Sequence, residues 1–137
     1  MPEYLAEAFG LGLFMLSACV FGVLLFHPQA PGPRGIPDPM LRLALMGLLM
    51  GLTAVGNIHA PWGKRSGAHL NPAVTLAFYR LGRVSRQDAA GYIVAQFAGG
   101  AMGTGLALWL LGDLLANPAV DYVVTVPGPQ GVAVAFV

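Results

Sequence analysis

The chain has 137 residues, of which 56% are hydrophobic and only 9% charged, with a net charge of +1. A soluble domain carries roughly a quarter of its residues charged, so this composition argues against a soluble enzyme, and its hydrophobicity excludes disorder. Nucleic-acid binding lacks its electrostatic footprint, and Cys19, the single cysteine, cannot form a disulfide within the chain.

With a mean hydropathy of +0.69, the chain reads as an integral, multi-pass membrane protein. Residues 4–26 form the first apolar stretch, interrupted by one charge, Glu7. A bilayer core of about 30 Å needs roughly 20 helical residues, so this stretch can span. It lacks the basic start of a signal peptide. Residues 27–39 hold five prolines and two glycines, a density that predicts an exposed loop with no helix. A second span is expected over residues 40–60, followed by a short polar turn with Trp62, Lys64 and Arg65.

Residues 66–82 are of a different kind. Only about ten mainly apolar residues follow Pro72, too few to cross a bilayer but suited to a re-entrant segment. Pro72 fits the first turn of a helix, Asn71 fits the N-cap, and Gly82 fits the position just past the end. The spacing predicts a half-length helix. A third span is expected over residues 88–111, a second loop over 112–131, and the truncated start of a fourth span over 132–137. The fold class is therefore all-α. Lys64, Arg65, Arg80, Arg83 and Arg86, five of the seven basic residues, flank the short segment, which puts that side and the N-terminus in the cytoplasm.

Irregular backbone at membrane depth must be buried in protein or line a wet cavity. A half-helix starting there aims its first N–H groups and its positive dipole end inward. Asn71 adds two amide donors, and the carbonyls of Gly67, Ala68 and His69 add acceptors. Such a strip suits a neutral solute and repels cations. Small residues at four-residue spacing (Gly47 and Gly51; Ala95, Gly99, Gly103 and Ala107) suit close helix packing.

The segment SGAHLNPAV, with Asn71, Pro72 and Ala73 as its tripeptide, resembles the first asparagine–proline–alanine loop of the aquaporin, or major intrinsic protein, family. AEAFGLGLFML from Ala6 is similar to that family's first span, and GYIVAQFAGGAMG from Gly91 to its third. The resemblance implies two inverted repeats, each with three spans and one half-helix, and four associated subunits. This chain matches the first repeat only; the second motif and the later filter arginine are absent, and residues 59–65 look longer than the usual connector. The expected assignment is a fragment: three spans, one re-entrant half-helix and a cut-off fourth helix.

The resemblance also implies roles. Gly67, Ala68, His69, Asn71, Pro72 and Ala73 would line a pore, and Glu7 and Gln96 would support the loop. Catalytic and metal-ligating residues are expected to be none, and no cofactor is expected. The expected function is passive conduction of water, in a bacterial inner membrane or a plasma membrane, by a homo-tetramer at full length. Alternatives are a glycerol or small neutral solute facilitator, a non-conducting fragment, and half of a secondary transporter.

Overall fold

A computed structural model describes residues 2–124, and among these the regular structure is entirely helical. Seven α-helices follow in order: α1 (Pro2–Phe26), α2 (Pro31–Gly35), α3 (Pro39–His59), α4 (Pro61–Ser66), α5 (Pro72–Arg80), α6 (Arg86–Leu111) and α7 (Asp113–Ala116), then a short turn over Asp121–Val123. The expected fourth span, and the end of the second loop, lie outside the described residues.

Among the described residues, three helices are long and apolar enough to cross a membrane: α1, α3 and α6, with 25, 21 and 26 residues. At about 1.5 Å per residue each reaches or exceeds the roughly 30 Å hydrocarbon core. The nine residues of α5 cannot. Polar cues set the boundaries. Asp38 caps α3 by accepting from the Met40 N–H at 2.8 Å, and Arg42 reaches back to the Ile36 carbonyl at 2.7 Å. Ser85 caps α6, its Oγ accepting from the Asp88 N–H at 3.1 Å and donating to the Asp88 carboxylate at 2.7 Å.

The structure corrects two readings. The proline-rich loop contains α2, because Pro31 and Pro33 fall in its first turn, where backbone N–H groups have no helical partner to lose. Gly32 is buried there against the backbone of Leu24 and Leu25. The polar turn after α3 is likewise a helix, α4, opened by Pro61 and closed by Gly67 in a left-handed conformation.

The framework is the crossing of α1 and α6, the most extensive contact in the fold. Gly99, Gly103 and Ala107 are buried on one face of α6. A Cβ at Gly99 would strike the Ala8 backbone, and one at Gly103 the Gly12 backbone. Small residues at this spacing let the helix backbones touch. Below the crossing, Cys19, Val23, Ala107, Leu115 and Val120 form an apolar cluster. The other predicted row behaves differently: among the described residues, a Cβ at Gly47 or Gly51 would meet nothing within 4 Å. Within α3 only Asn57 is buried.

Candidate functional site

The segment between α4 and α5, residues 67–71, is held from three sides. Its entry is fixed by α4. The Trp62 indole donates to Asn57 Oδ1 at 3.0 Å, Asn57 donates to the Thr53 carbonyl at 3.2 Å, and Trp62 meets Phe9 edge-on at 5.0 Å. The longer connector is thus folded back onto α1 and α3. Tyr92, buried on α6, donates to the Ser66 carbonyl at 2.8 Å.

The segment's own backbone is unusual. Gly67, Ala68 and Leu70 have φ of 90°, 49° and 50°. Left-handed backbone is easy for glycine and costs other residues about 1–2 kcal/mol each. The compensation is a fully buried carboxylate. Glu7, on α1, has no exposed surface. Its Oε1 accepts from Ser66 Oγ at 2.8 Å and from the His69 N–H at 2.9 Å. Its Oε2 accepts from the Leu70 N–H and from Gln96 Nε2, each at 2.8 Å. Four donors fill the lone-pair sites of one carboxylate, and bonds to an ionised acceptor are the stronger kind. The α1 helix therefore dictates the path of the loop.

Gln96 connects this knot to α5, because its Nε2 also donates to Thr75 Oγ1 at 3.0 Å. Its Oε1 is buried and accepts nothing among the described residues. Thr75 Oγ1 also lies 3.1 Å from His69 Nδ1. The His69 ring stacks on Phe78 at 4.7 Å and meets Tyr92 edge-on at 5.2 Å.

Asn71 is the N-cap of α5: its Oδ1 accepts from the Ala73 N–H at 2.8 Å. Pro72 occupies the first turn. At the other end the Arg83 N–H reaches the Phe78 carbonyl and the Gly82 N–H the Tyr79 carbonyl, each at 2.9 Å, with Gly82 at φ 69°. That paired closure ends a helix where a left-handed residue follows it.

Asn71 and Ala73 are exposed, Pro72 less so. The Asn71 Nδ2 has no partner among the described residues, and neither do the carbonyls of Gly67, Ala68 and His69. Among the described residues these donors and acceptors thus stand free, on a segment whose His69 and Leu70 N–H groups are spent on Glu7. Beside it opens a cavity of about 690 Å³, lined in part by Ser66, His69, Phe78, Arg83, Asp88 and Tyr92. Asp88 is engaged by Ser85 and by Tyr4, whose hydroxyl donates to it at 2.7 Å. No cluster of three His, Cys, Asp or Glu side chains capable of holding a metal occurs among the described residues.

Sequence reasoning singled out Glu7, Gln96, Gly67, Ala68, His69, Asn71, Pro72 and Ala73; the structure gathers His69 and Gln96 on the Glu7 carboxylate and sets Asn71, Pro72 and Ala73 at the start of α5. It missed Ser66, Thr75, Tyr92 and Asn57. For Tyr92 a signal existed: it precedes Gln96 by four residues, on the same helix face. Thr75 and Ser66 gave none, since a hydroxyl beside an apolar helix most often bonds its own backbone.

Comparison with known proteins fits this arrangement. The profile of the family described as Major intrinsic protein matches residues 1–134. Aquaglyceroporin AqpS of Rhizobium meliloti is 37% identical over 102 residues, which is 74% of this chain and 40% of that protein. Aquaporin NIP1-1 of Zea mays is 32% identical over 112 residues, 82% of this chain and 36% of that protein. Aquaporin-5 of Mus musculus is 34% identical over 86 residues, 62% of this chain and 32% of that protein. The chain spans less than half the length of these relatives. A family profile covering nearly every residue, and helices of membrane-crossing length around a buried carboxylate, lead to one assignment: this is an integral membrane protein of the major intrinsic protein family.

Proposed function

We propose that the chain forms the first of two inverted repeats of a passive water channel. The carbonyls of Gly67, Ala68 and His69 accept from the permeating molecule, and Asn71 Nδ2 donates to it. Pro72 and Ala73 set the start of α5 so that its positive end meets the same path. A second repeat supplies the opposite wall, and four copies associate. The basic side and the N-terminus face the cytoplasm, in a bacterial inner or plasma membrane.

One observation carries this reading. The Glu7 carboxylate absorbs the inward N–H groups of His69 and Leu70, while the carbonyls of Gly67, Ala68 and His69 and the Asn71 Nδ2 have no partner among the described residues. A water molecule exchanges hydrogen bonds along such a row without meeting a full charge. Glu7 and Gln96 act on the solute only through the loop they hold.

A second reading has its own support. The similarity to a relative called an aquaglyceroporin, and the small residues Gly47 and Gly51 on α3, support a wider path that takes glycerol or another small neutral solute. Stopped-flow light scattering on liposomes, with protein expressed from its complete reading frame, separates the two. Water exchange without glycerol uptake supports the narrow pore. Glycerol uptake supports the wider one. Neither flux above empty vesicles refutes both.

A further inference from the structure

Thr75 Oγ1 sits where three groups meet: Gln96 Nε2 at 3.0 Å, His69 Nδ1 at 3.1 Å and the Asn71 carbonyl at 3.3 Å. A hydroxyl carries a single proton, so only one of these can receive it. Gln96 cannot. Its Nε2 also donates to Glu7 at 2.8 Å, and a reversed amide would set its oxygen against the carboxylate. The Asn71 carbonyl is the weaker target on distance: at 3.3 Å it lies beyond the roughly 2.5–3.0 Å range of O–H···O bonds. His69 Nδ1 is nearer and has no other partner among the described residues.

We propose that Thr75 donates to His69 Nδ1 and so fixes His69 as the Nε2–H tautomer, which presents a standing N–H donor to the cavity beside residues 67–71. The ring is packed in this orientation, stacked on Phe78 and met edge-on by Tyr92. Nε2 is on the edge away from Thr75. It has no hydrogen-bond partner among the described residues and is not among the buried unpaired atoms, and His69 lines the cavity. Which ring nitrogen carries the proton is set by the bond the other one makes. A bare Nε2 would offer a lone pair to protons and metal cations. An Nε2–H offers none, and takes the oxygen of water, an alcohol or an amide instead. Thr75 is thus a positioning residue for a donor on the wall of this cavity. Its role in solute selection rests on the channel reading; the tautomer itself does not.

The test is ¹⁵N NMR of ring-labelled histidine in bilayer-reconstituted protein at alkaline pH, where imidazole is neutral. The His69 signal is identified by its loss in His69→Gln. The expected result is a protonated Nε2 and an unprotonated Nδ1 shifted by an accepted hydrogen bond. Thr75→Ser retains that shift and Thr75→Val abolishes it. A protonated Nδ1 in the unaltered protein overturns the proposal, as does an unchanged Nδ1 signal in Thr75→Val. If Thr75→Val fails to fold, the unaltered protein and Thr75→Ser still decide. A protein that shows the expected spectrum but passes no solute refutes the channel reading and leaves the tautomer standing.

Discussion

Gln96 donates to Glu7 across 2.8 Å although 89 positions separate them in the chain, and neither side chain reaches solvent. The bond joins α6 to α1 beside the place where Gly99 meets the Ala8 backbone. The same carboxylate holds the loop, so the helix crossing and the loop geometry are one structural unit. Disturbing either is expected to disturb the other.

Replacing Glu7 by alanine leaves the N–H groups of His69 and Leu70 without acceptors in a buried site. An unsatisfied buried donor costs about 1–3 kcal/mol, and left-handed Ala68 and Leu70 lose their compensation. Glu7→Ala is expected to lower folded yield and thermal stability in detergent far more than it alters solute selectivity. Glu7→Gln should fall between, since its amide keeps one acceptor but turns an N–H toward donors. Normal yield with changed selectivity in Glu7→Ala would mean that Glu7 touches the solute rather than the loop.

The helix crossing gives a second comparison. Gly99→Ala drives a methyl into the Ala8 backbone and should cost about 1–3 kcal/mol by overpacking. A Cβ at Gly105, on the same helix, would meet nothing within 4 Å among the described residues, so Gly105→Ala should be neutral or slightly stabilising through helix propensity. Thermal unfolding of the two variants measures the difference. Equal melting temperatures would contradict the tight crossing.

Two tyrosines separate buried from exposed hydrogen bonds. Tyr92→Phe leaves the buried Ser66 carbonyl without its donor and should cost about 1–3 kcal/mol. Tyr4→Phe breaks an exposed bond to Asp88, where water takes over, and should cost well under about 1 kcal/mol. Chemical or thermal denaturation of both variants is the check, and a reversed order would show that α1 is anchored at its first turn instead.

Much of this architecture could be read from the residues, for definite reasons. A span is set by the length and apolarity that a bilayer demands, and α1, α3 and α6 begin within two residues of the positions expected from that rule. The start of α5 follows from local chemistry, because Asn71 and Pro72 both suit a helix start wherever the chain goes afterwards. The helices α2 and α4 were hidden because proline and glycine density resembles that of a loop, and only the placement of each proline in a first turn distinguishes them. Partner choice was hidden altogether. Four-residue spacing marks Gly47 and Gly51 as readily as Gly99 and Gly103, yet only the second pair meets a helix among the described residues. Thr75 gained its role from where α6 places Gln96, a tertiary fact that no short stretch of sequence carries.

The most direct test of a water path along residues 67–71 is permeability with Asn71 changed to aspartate. Aspartate caps a helix about as well as asparagine, and its carboxylate can still accept from the Ala73 N–H, so folding should be retained. What it loses are the two Nδ2 donors, and what it adds is a negative charge at the start of α5. Stopped-flow swelling of liposomes holding equal amounts of folded protein, expressed from the complete reading frame, compares the variant with the unaltered chain. Rapid water flux is expected in the unaltered protein, independent of any ion gradient. A fall of roughly tenfold or more is expected in Asn71→Asp, the effect of losing about 1.4 kcal/mol. Equal flux in the two proteins, or flux that requires an ion gradient, would contradict the proposed path.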